Sequence, residues 1–306
     1  MGALLTPSIS DSVILARPHR QQQTISRSVS VTGFGFWSGR DVTLEFKPAP
    51  VDAGIVFVRS DLEHAPRIPA LIENRLESPR RTILAHQGVQ VEMVEHVMAA
   101  LAGLRIDNCE VWLNSAEVPG FDGSSKSFVD ALLSAEIVEQ DALRSWLLVT
   151  DVTRVGDADS WIEARPIRSQ KMRVKYRLDY GHDSIIGRET YEATIKPERF
   201  IAELAPARTF ILKQEAEWLR QQGLAERVTP EDVLVFDETG LIDNELRYED
   251  ECVRHKVLDL VGDLALAGCD IVGQFVAQRS GHRLNANLAQ ALLSECQLIQ
   301  ERGVSA

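Results

Sequence analysis

The stretch VRHKVLDLVGDLALAGCDIVGQFVAQ, residues 253–278, sets a helix directly against a strand. Val257, Leu258, Leu260 and Val261 recur at helical spacing, Gly268 closes the pattern, and IVGQFVAQ continues as an apolar strand. VMAALAGLRIDNCEVWLN (97–114) has the same arrangement, a helix closing on Ala-Gly and then a Cys-containing apolar strand. The pair suggests an internal duplication. It agrees with an α+β fold of two halves, each a sheet with helices on one face. The division falls near 139–151, separating 21–143 from 144–306, and residues 1–20 read as a disordered extension.

Working outward, TISRSVSVTG and VTLEFKPA (within 24–60) read as strands joined by the Gly-rich connection GFGFWSG (33–39). Helical periodicity covers 91–104, then KSFVDALLSAE (126–136), and further strands follow around MRVKYRLDY. Three later helices are expected at 210–224, 253–268 and 284–303.

The chain has 306 residues, 44% hydrophobic and 25% charged, which is a globular profile. Its net charge of −12 argues against general nucleic-acid binding, while leaving room for a local basic pocket for a small anion. Cys109, Cys252, Cys269 and Cys296 form no CxxC, so they read as reduced thiols of a cytoplasmic protein, two of them buried. No apolar run approaches the roughly 20 residues of a membrane span. The opening MGALLT matches the loose myristoylation pattern by chance, since no polybasic second anchor accompanies it.

The helix around 253–268 poses a chemical question, because His255, Lys256, Asp259 and Asp263 interrupt its apolar stripe, where unpaired charge is expensive. His255 and Asp259 are four apart and share a face. That is a metal-ligand spacing, but by itself it describes a surface His–Asp pair equally well. Glu95 and His96 open an otherwise apolar helix. A zinc hydrolase needs three protein ligands, an open position and a carboxylate base. His96, His255 and Asp259 would supply the ligands and Glu95 the base. His282, in RSGHRLN (279–285), falls between a strand and a helix, where it could act as general acid or oxyanion stabiliser. Asp263, on the same helix face as His255, could orient it. Lys256 suits an anionic substrate group.

VEHVMAALAGLRIDN, AEVPGFDGSS, PARTF, RHKVLDLVGDLALAG and SGHRLN, in this order, resemble the UDP-3-O-acyl-N-acetylglucosamine deacetylase family, the zinc amidases of lipid A biosynthesis. The resemblance runs from about Gln21 to the C-terminus and implies two duplicated β-α-α-β-type halves with the active site between them. It implies Glu95 as general base, His96, His255 and Asp259 as zinc ligands, and Lys256 as a substrate contact. It also implies a catalytic His282 partnered by Asp263. The Thr209 hydroxyl would lie near the oxyanion, with Phe210 on the nucleotide–sugar side. Asp179 and Tyr180 resemble the pair that contacts uracil, and Arg165 takes the place of a diphosphate-binding lysine. Imidazole and carboxylate donors also suit ferrous iron. The implied substrate is a nucleotide-sugar with an acyl chain, handled by a monomer with at most peripheral membrane contact.

One departure stands out. The family has an aliphatic residue and a histidine where GFGFWSG carries Phe36 and Trp37. Trp37 could stack on a sugar or narrow the acyl entrance. Two alternatives therefore stay open: an amidase of this fold acting on a different nucleotide-sugar, and a non-catalytic binding relative.

Overall fold

The computed structural model describes residues 20–296 and the backbone of Leu298–Ile299. The expected N-terminal extension lies outside these residues except for Arg20. Among the described residues there are six α-helices: α1 (Glu95–Gly103), α2 (Lys126–Ser134), α3 (Pro197–Arg199), α4 (Lys213–Gln221), α5 (Glu251–Leu264) and α6 (His282–Glu295). With the sheets below they make a mixed α+β fold.

Alternation builds the first sheet. In Asp41–Pro48, Val42, Leu44 and Phe46 point into the core while the residues between them face outward. Cys109–Leu113, which follows α1, pairs antiparallel with Asp41–Pro48 and parallel with Ile55–Arg59, inside a five-stranded sheet. Asp270–Gln278, which follows α5, likewise has an antiparallel neighbour, Trp161–Arg165, and a parallel one, Met172–Asp179, in a seven-stranded sheet. Around the expected division, Ile137–Leu143 pairs with Gln21–Ile25, whereas Trp146–Leu148 pairs with Asp270–Gln278.

Helices α1 and α5 pack against each other between these sheets. Every residue of α5 except Arg254 and Lys256 is buried, so this helix has no solvent face on which to place its polar side chains. Gly262 permits the contact. A Cβ there would lie 2.1 Å from the Glu95 carbonyl oxygen, so only glycine lets the two backbones approach this closely.

Several element boundaries differ from expectation. Residues 91–92 belong to the strand Val89–Glu92, paired with Ile83–His86, and Met93 (φ 64°) breaks the chain before α1. Phe210–Leu212 is a strand parallel to Leu234–Phe236, which shortens the helix expected from 210. The last helix starts at His282, two residues early, and stops at Glu295, after which Leu298–Ile299 pairs with Trp146–Leu147. All four cysteines are free, and three are buried rather than two. Among the described residues no helix is long and apolar enough to cross a membrane.

Candidate active site

α1 contributes Glu95 and His96 from its first turn, and α5 contributes His255 and Asp259 from the turns facing it. Asp259 Oδ1 lies 3.5 Å from His96 Nε2 and 3.3 Å from His255 Nε2. The two imidazole rings stand edge to face with centroids 5.0 Å apart. His255 Nδ1 donates to the Ala207 carbonyl at 3.1 Å, which leaves Nε2 as the lone-pair nitrogen on the side of Asp259. Lys256 Nζ donates to Asp259 Oδ2 at 2.8 Å, so one carboxylate oxygen is neutralised and the other is aimed at the two histidines.

Asp259 Oδ1 is buried without a hydrogen-bond donor. An orphaned carboxylate oxygen converging with two imidazole nitrogens fits a divalent cation, because leaving it unsatisfied is expensive. The three side chains form a group whose donor atoms all lie within 4.8 Å of one another. Burial pushes His255 down to about 3, against the opposing pull of Asp259, which keeps the imidazole neutral as a ligand must be. Asp259 is held well below the usual carboxylate range: burial opposes this, but His255 and Lys256 outweigh it.

A second cluster adjoins the first. His282 is the first residue of α6, so its backbone is fixed by the helix rather than by a loop. Its Nδ1 donates to Asp263 Oδ2 at 2.9 Å, and its Nε2 lies 4.0 Å from Glu95 Oε1. Burial alone would lower His282, but Asp263 more than reverses this and raises it to about 9, so it carries a proton at neutral pH. Burial pushes the Glu95 carboxyl up, against the pull of His282 and His96.

Both clusters open on a cavity of about 650 Å3. Glu95, His96, His255, Lys256, Asp259 and His282 line it, as do Thr209, Phe210, Tyr180 and Trp37. Asp263 stands behind His282, fully buried. Thr209 is set in place by its N–H bond to the Gly123 carbonyl at 2.8 Å, close against a glycine whose φ is 76°. Lys256 Nζ stands 5.5 Å over the Phe210 ring, and Tyr180 packs edge-on to the same ring at 5.7 Å.

Two expected site residues lie elsewhere. Arg165 does not line the cavity, and its guanidinium pairs with Glu163 on its own strand. Asp179 is also outside the lining, bound to Arg188 at 2.9 Å and to the Gly181 N–H at 2.9 Å.

Both large residues of the unusual glycine-rich loop reach the cavity. Phe36 is buried against Gly120, where a Cβ would meet its ring at 2.2 Å, and also lines the cavity wall. Trp37 borders the cavity with its indole N–H 3.2 Å from the Met93 sulfur and the Arg81 guanidinium 4.1 Å over its ring. The Glu117 carboxylate accepts the N–H groups of Trp37 and Ser38 at 2.7 and 2.9 Å, fixing the loop backbone.

Sequence reasoning missed the groups that hold these side chains. Arg208, buried inside PARTF, donates to Glu251 at 2.8 Å and so anchors the segment carrying Ala207 and Thr209. Arg80, Arg220, Arg279 and Arg283 also border the cavity, with Arg80 paired to Glu215 and Arg283 4.0 Å from Glu77 on the same lining. The signal for them was a local run of Arg on either side of the motifs, which composition over the whole chain averages away.

Two imidazoles and a carboxylate converging on one point, with a second carboxylate and a proton-bearing histidine beside them, form the side-chain set that a mononuclear metal-dependent hydrolase needs. Comparison with known proteins narrows the class. The family model for UDP-3-O-acyl N-acetylglycosamine deacetylase matches residues 22–294, and the chain belongs to this family. Among its relatives is a UDP-3-O-acyl-N-acetylglucosamine deacetylase from a Shewanella species (strain W3-18-1), 40% identical over 90% of each chain. Proteins of the same name from Shewanella woodyi and Shewanella oneidensis are 41% and 40% identical over the same shares.

Proposed function

We propose that this protein hydrolyses the N-acetyl group of UDP-3-O-acyl-N-acetylglucosamine, releasing acetate and a free 2-amino sugar, as a step of lipid A biosynthesis. The observation that carries the reading is the donorless Asp259 Oδ1 facing two buried imidazole nitrogens, with Glu95 and His282 on the same cavity wall. The substrate follows from family membership and from the names of the relatives.

His96, His255 and Asp259 would hold the ion, which we assign as zinc, with ferrous iron suited to the same donors. Held there, it would polarise the acetyl carbonyl and lower the pKa of a water molecule. Glu95 takes the proton of the attacking water at Oε1, since its Oε2 already accepts the Thr82 N–H at 3.0 Å. His282 keeps a proton at Nε2 because Asp263 holds Nδ1, and it delivers that proton to the leaving amine. Thr209 and His282 present donors where the carbonyl oxygen gains charge. Lys256 offers a positive edge to the phosphates, and Phe210 and Tyr180 form an aromatic wall for the nucleotide–sugar side. Trp37, clamped by Arg81, bounds the acyl entrance as a fixed wall. Asp179 and Arg165 lie outside the cavity lining and pair with Arg188 and Glu163, so their proposed contacts to uracil and diphosphate have no support in the geometry.

In this reading residues 21–143 and 144–306 act as two domains with the reaction at their helix–helix contact. The enzyme works as a cytoplasmic monomer, in keeping with its free thiols. Purified protein incubated with acylated and non-acylated UDP-N-acetylglucosamine tests the reading. Deacetylation of the acylated substrate is the expected result. Cleavage of the non-acylated sugar alone would overturn the lipid A assignment in favour of an amidase of this fold with another substrate. No turnover of either by metal-loaded protein would favour a binding relative.

A further inference from the structure

Thr82 lies outside the cavity lining and is 1% exposed, yet all three of its polar groups are engaged. Its carbonyl accepts the Val94 N–H at 3.3 Å, just ahead of α1. Its own N–H donates to Glu95 Oε2 at 3.0 Å. Its hydroxyl donates to Asp263 Oδ1 on α5 at 2.7 Å. The other Asp263 oxygen, Oδ2, accepts from His282 Nδ1 at 2.9 Å and from Asn285 Nδ2 at 2.9 Å. Asn285 is itself oriented, because the Ser280 hydroxyl donates to its Oδ1 and so directs its NH2 toward Asp263. Tyr176 in turn donates to the Ser280 carbonyl.

We propose that Thr82 is a positioning residue of the hydrolysis: one side chain fixes the plane of the Asp263 carboxylate that aims His282, while its backbone N–H fixes the Glu95 oxygen not used as base. The inference rests on the reaction proposed above. A carboxylate can turn about its last torsion, which is broad and nearly two-fold. With the Thr82 hydroxyl bound to Oδ1 and two donors bound to Oδ2, only one orientation satisfies every group. Remove the hydroxyl, and Oδ1 becomes a fully buried carboxylate oxygen without a donor among the described residues. Asp263 then turns toward its remaining donors, and the imidazole it carries turns with it. Glu95 keeps its backbone bond, so the proton acceptor and the proton donor lose their common reference.

Thr82→Val removes the hydroxyl at nearly constant volume and leaves the backbone N–H in place. The expected effect is a fall in kcat of about 10- to 100-fold, the range typical of partners that orient reactive groups. KM should stay within about 3-fold of the parent value, since Thr82 does not touch the cavity. Thr82→Ser should restore most of the rate, and Thr82→Ala should repeat the loss without depending on how valine packs. A second readout uses metal-stripped protein: the low-field Nδ1 proton resonance of His282 should persist in the parent and in Thr82→Ser, and shift or broaden in Thr82→Val. Parent-like kcat in both hydroxyl-lacking variants, no rescue by serine, or an unchanged imidazole resonance would overturn the proposal. If the parent protein itself fails to cleave the substrate, the reaction assignment falls, and the resonance still decides whether Thr82 aims His282.

Discussion

Asp259 divides its work between two oxygens, and the division explains why charge is tolerated in a buried helix. Lys256 neutralises Oδ2, while Oδ1 converges with His96 and His255 on the point where a metal would be held. His255→Ala should therefore lose bound metal and turnover together, as read by elemental analysis beside the assay. Glu95→Ala removes no ligand and should keep the metal, while losing at least about 100-fold in kcat as expected for a general base. The charge state of His282 gives a pH prediction. It is raised from 6.5 to about 9 by Asp263 despite burial; with the imidazolium as the proposed acid, the rate should fall as pH rises through about 9. The same shift favours the folded state below about 6.5, and that contribution is lost as pH rises through about 9. Asp263→Asn should move the alkaline limb of the pH–rate profile toward lower pH. A limb that stays in place would show that another group sets it.

Helices α1 and α5 turn four separate side chains into one site, and their closeness depends on Gly262. In Gly262→Ala the new Cβ would press on the Glu95 carbonyl, and the helices would have to separate. Such overpacking typically costs about 1–3 kcal/mol. Weaker metal binding should accompany it, because His96 and His255 sit on opposite helices; thermal unfolding with and without chelator would measure both. The sequence displayed these two helices clearly, since α1 ends in Ala-Gly and α5 runs through a 3-10 turn to Ala-Gly, each before an apolar strand. It concealed where neighbouring elements begin. Val89–Glu92 and Phe210–Leu212 continue the adjoining helical patterns, and only pairing with distant strands makes them β. His282 looked like a loop residue because Gly281 precedes it, whereas that glycine is the N-cap of α6.

Across the whole molecule the side chains that converge on the cavity, and Asp263 behind them, were legible, because His255, Asp259 and Asp263 fall at helical spacing and Glu95–His96 and His282 lie in short motifs. The residues that hold them were not. Thr82, Arg208 and Glu251 act through contacts between segments far apart in sequence, and nothing local marks them. The same holds for Arg20, which joins Asp107 of the first half to Asp270 of the second at 2.6 Å each. Arg20→Ala would leave both carboxylates with fewer donors and should lower stability by roughly 2–4 kcal/mol, seen as a lower Tm with kcat little changed. An unaltered Tm would show that Arg144, which also reaches both carboxylates, is sufficient to hold them. The central claim is that His96, His255 and Asp259 hold a metal and that Glu95 takes the proton of the water that attacks an acylated UDP-sugar. Metal content and deacetylation, measured on the same samples of parent, His255→Ala and Glu95→Ala protein, test it most directly. The account predicts about one metal ion per chain with turnover in the parent, neither in His255→Ala, and metal without turnover in Glu95→Ala. Turnover that survives in metal-free protein or in Glu95→Ala would contradict it.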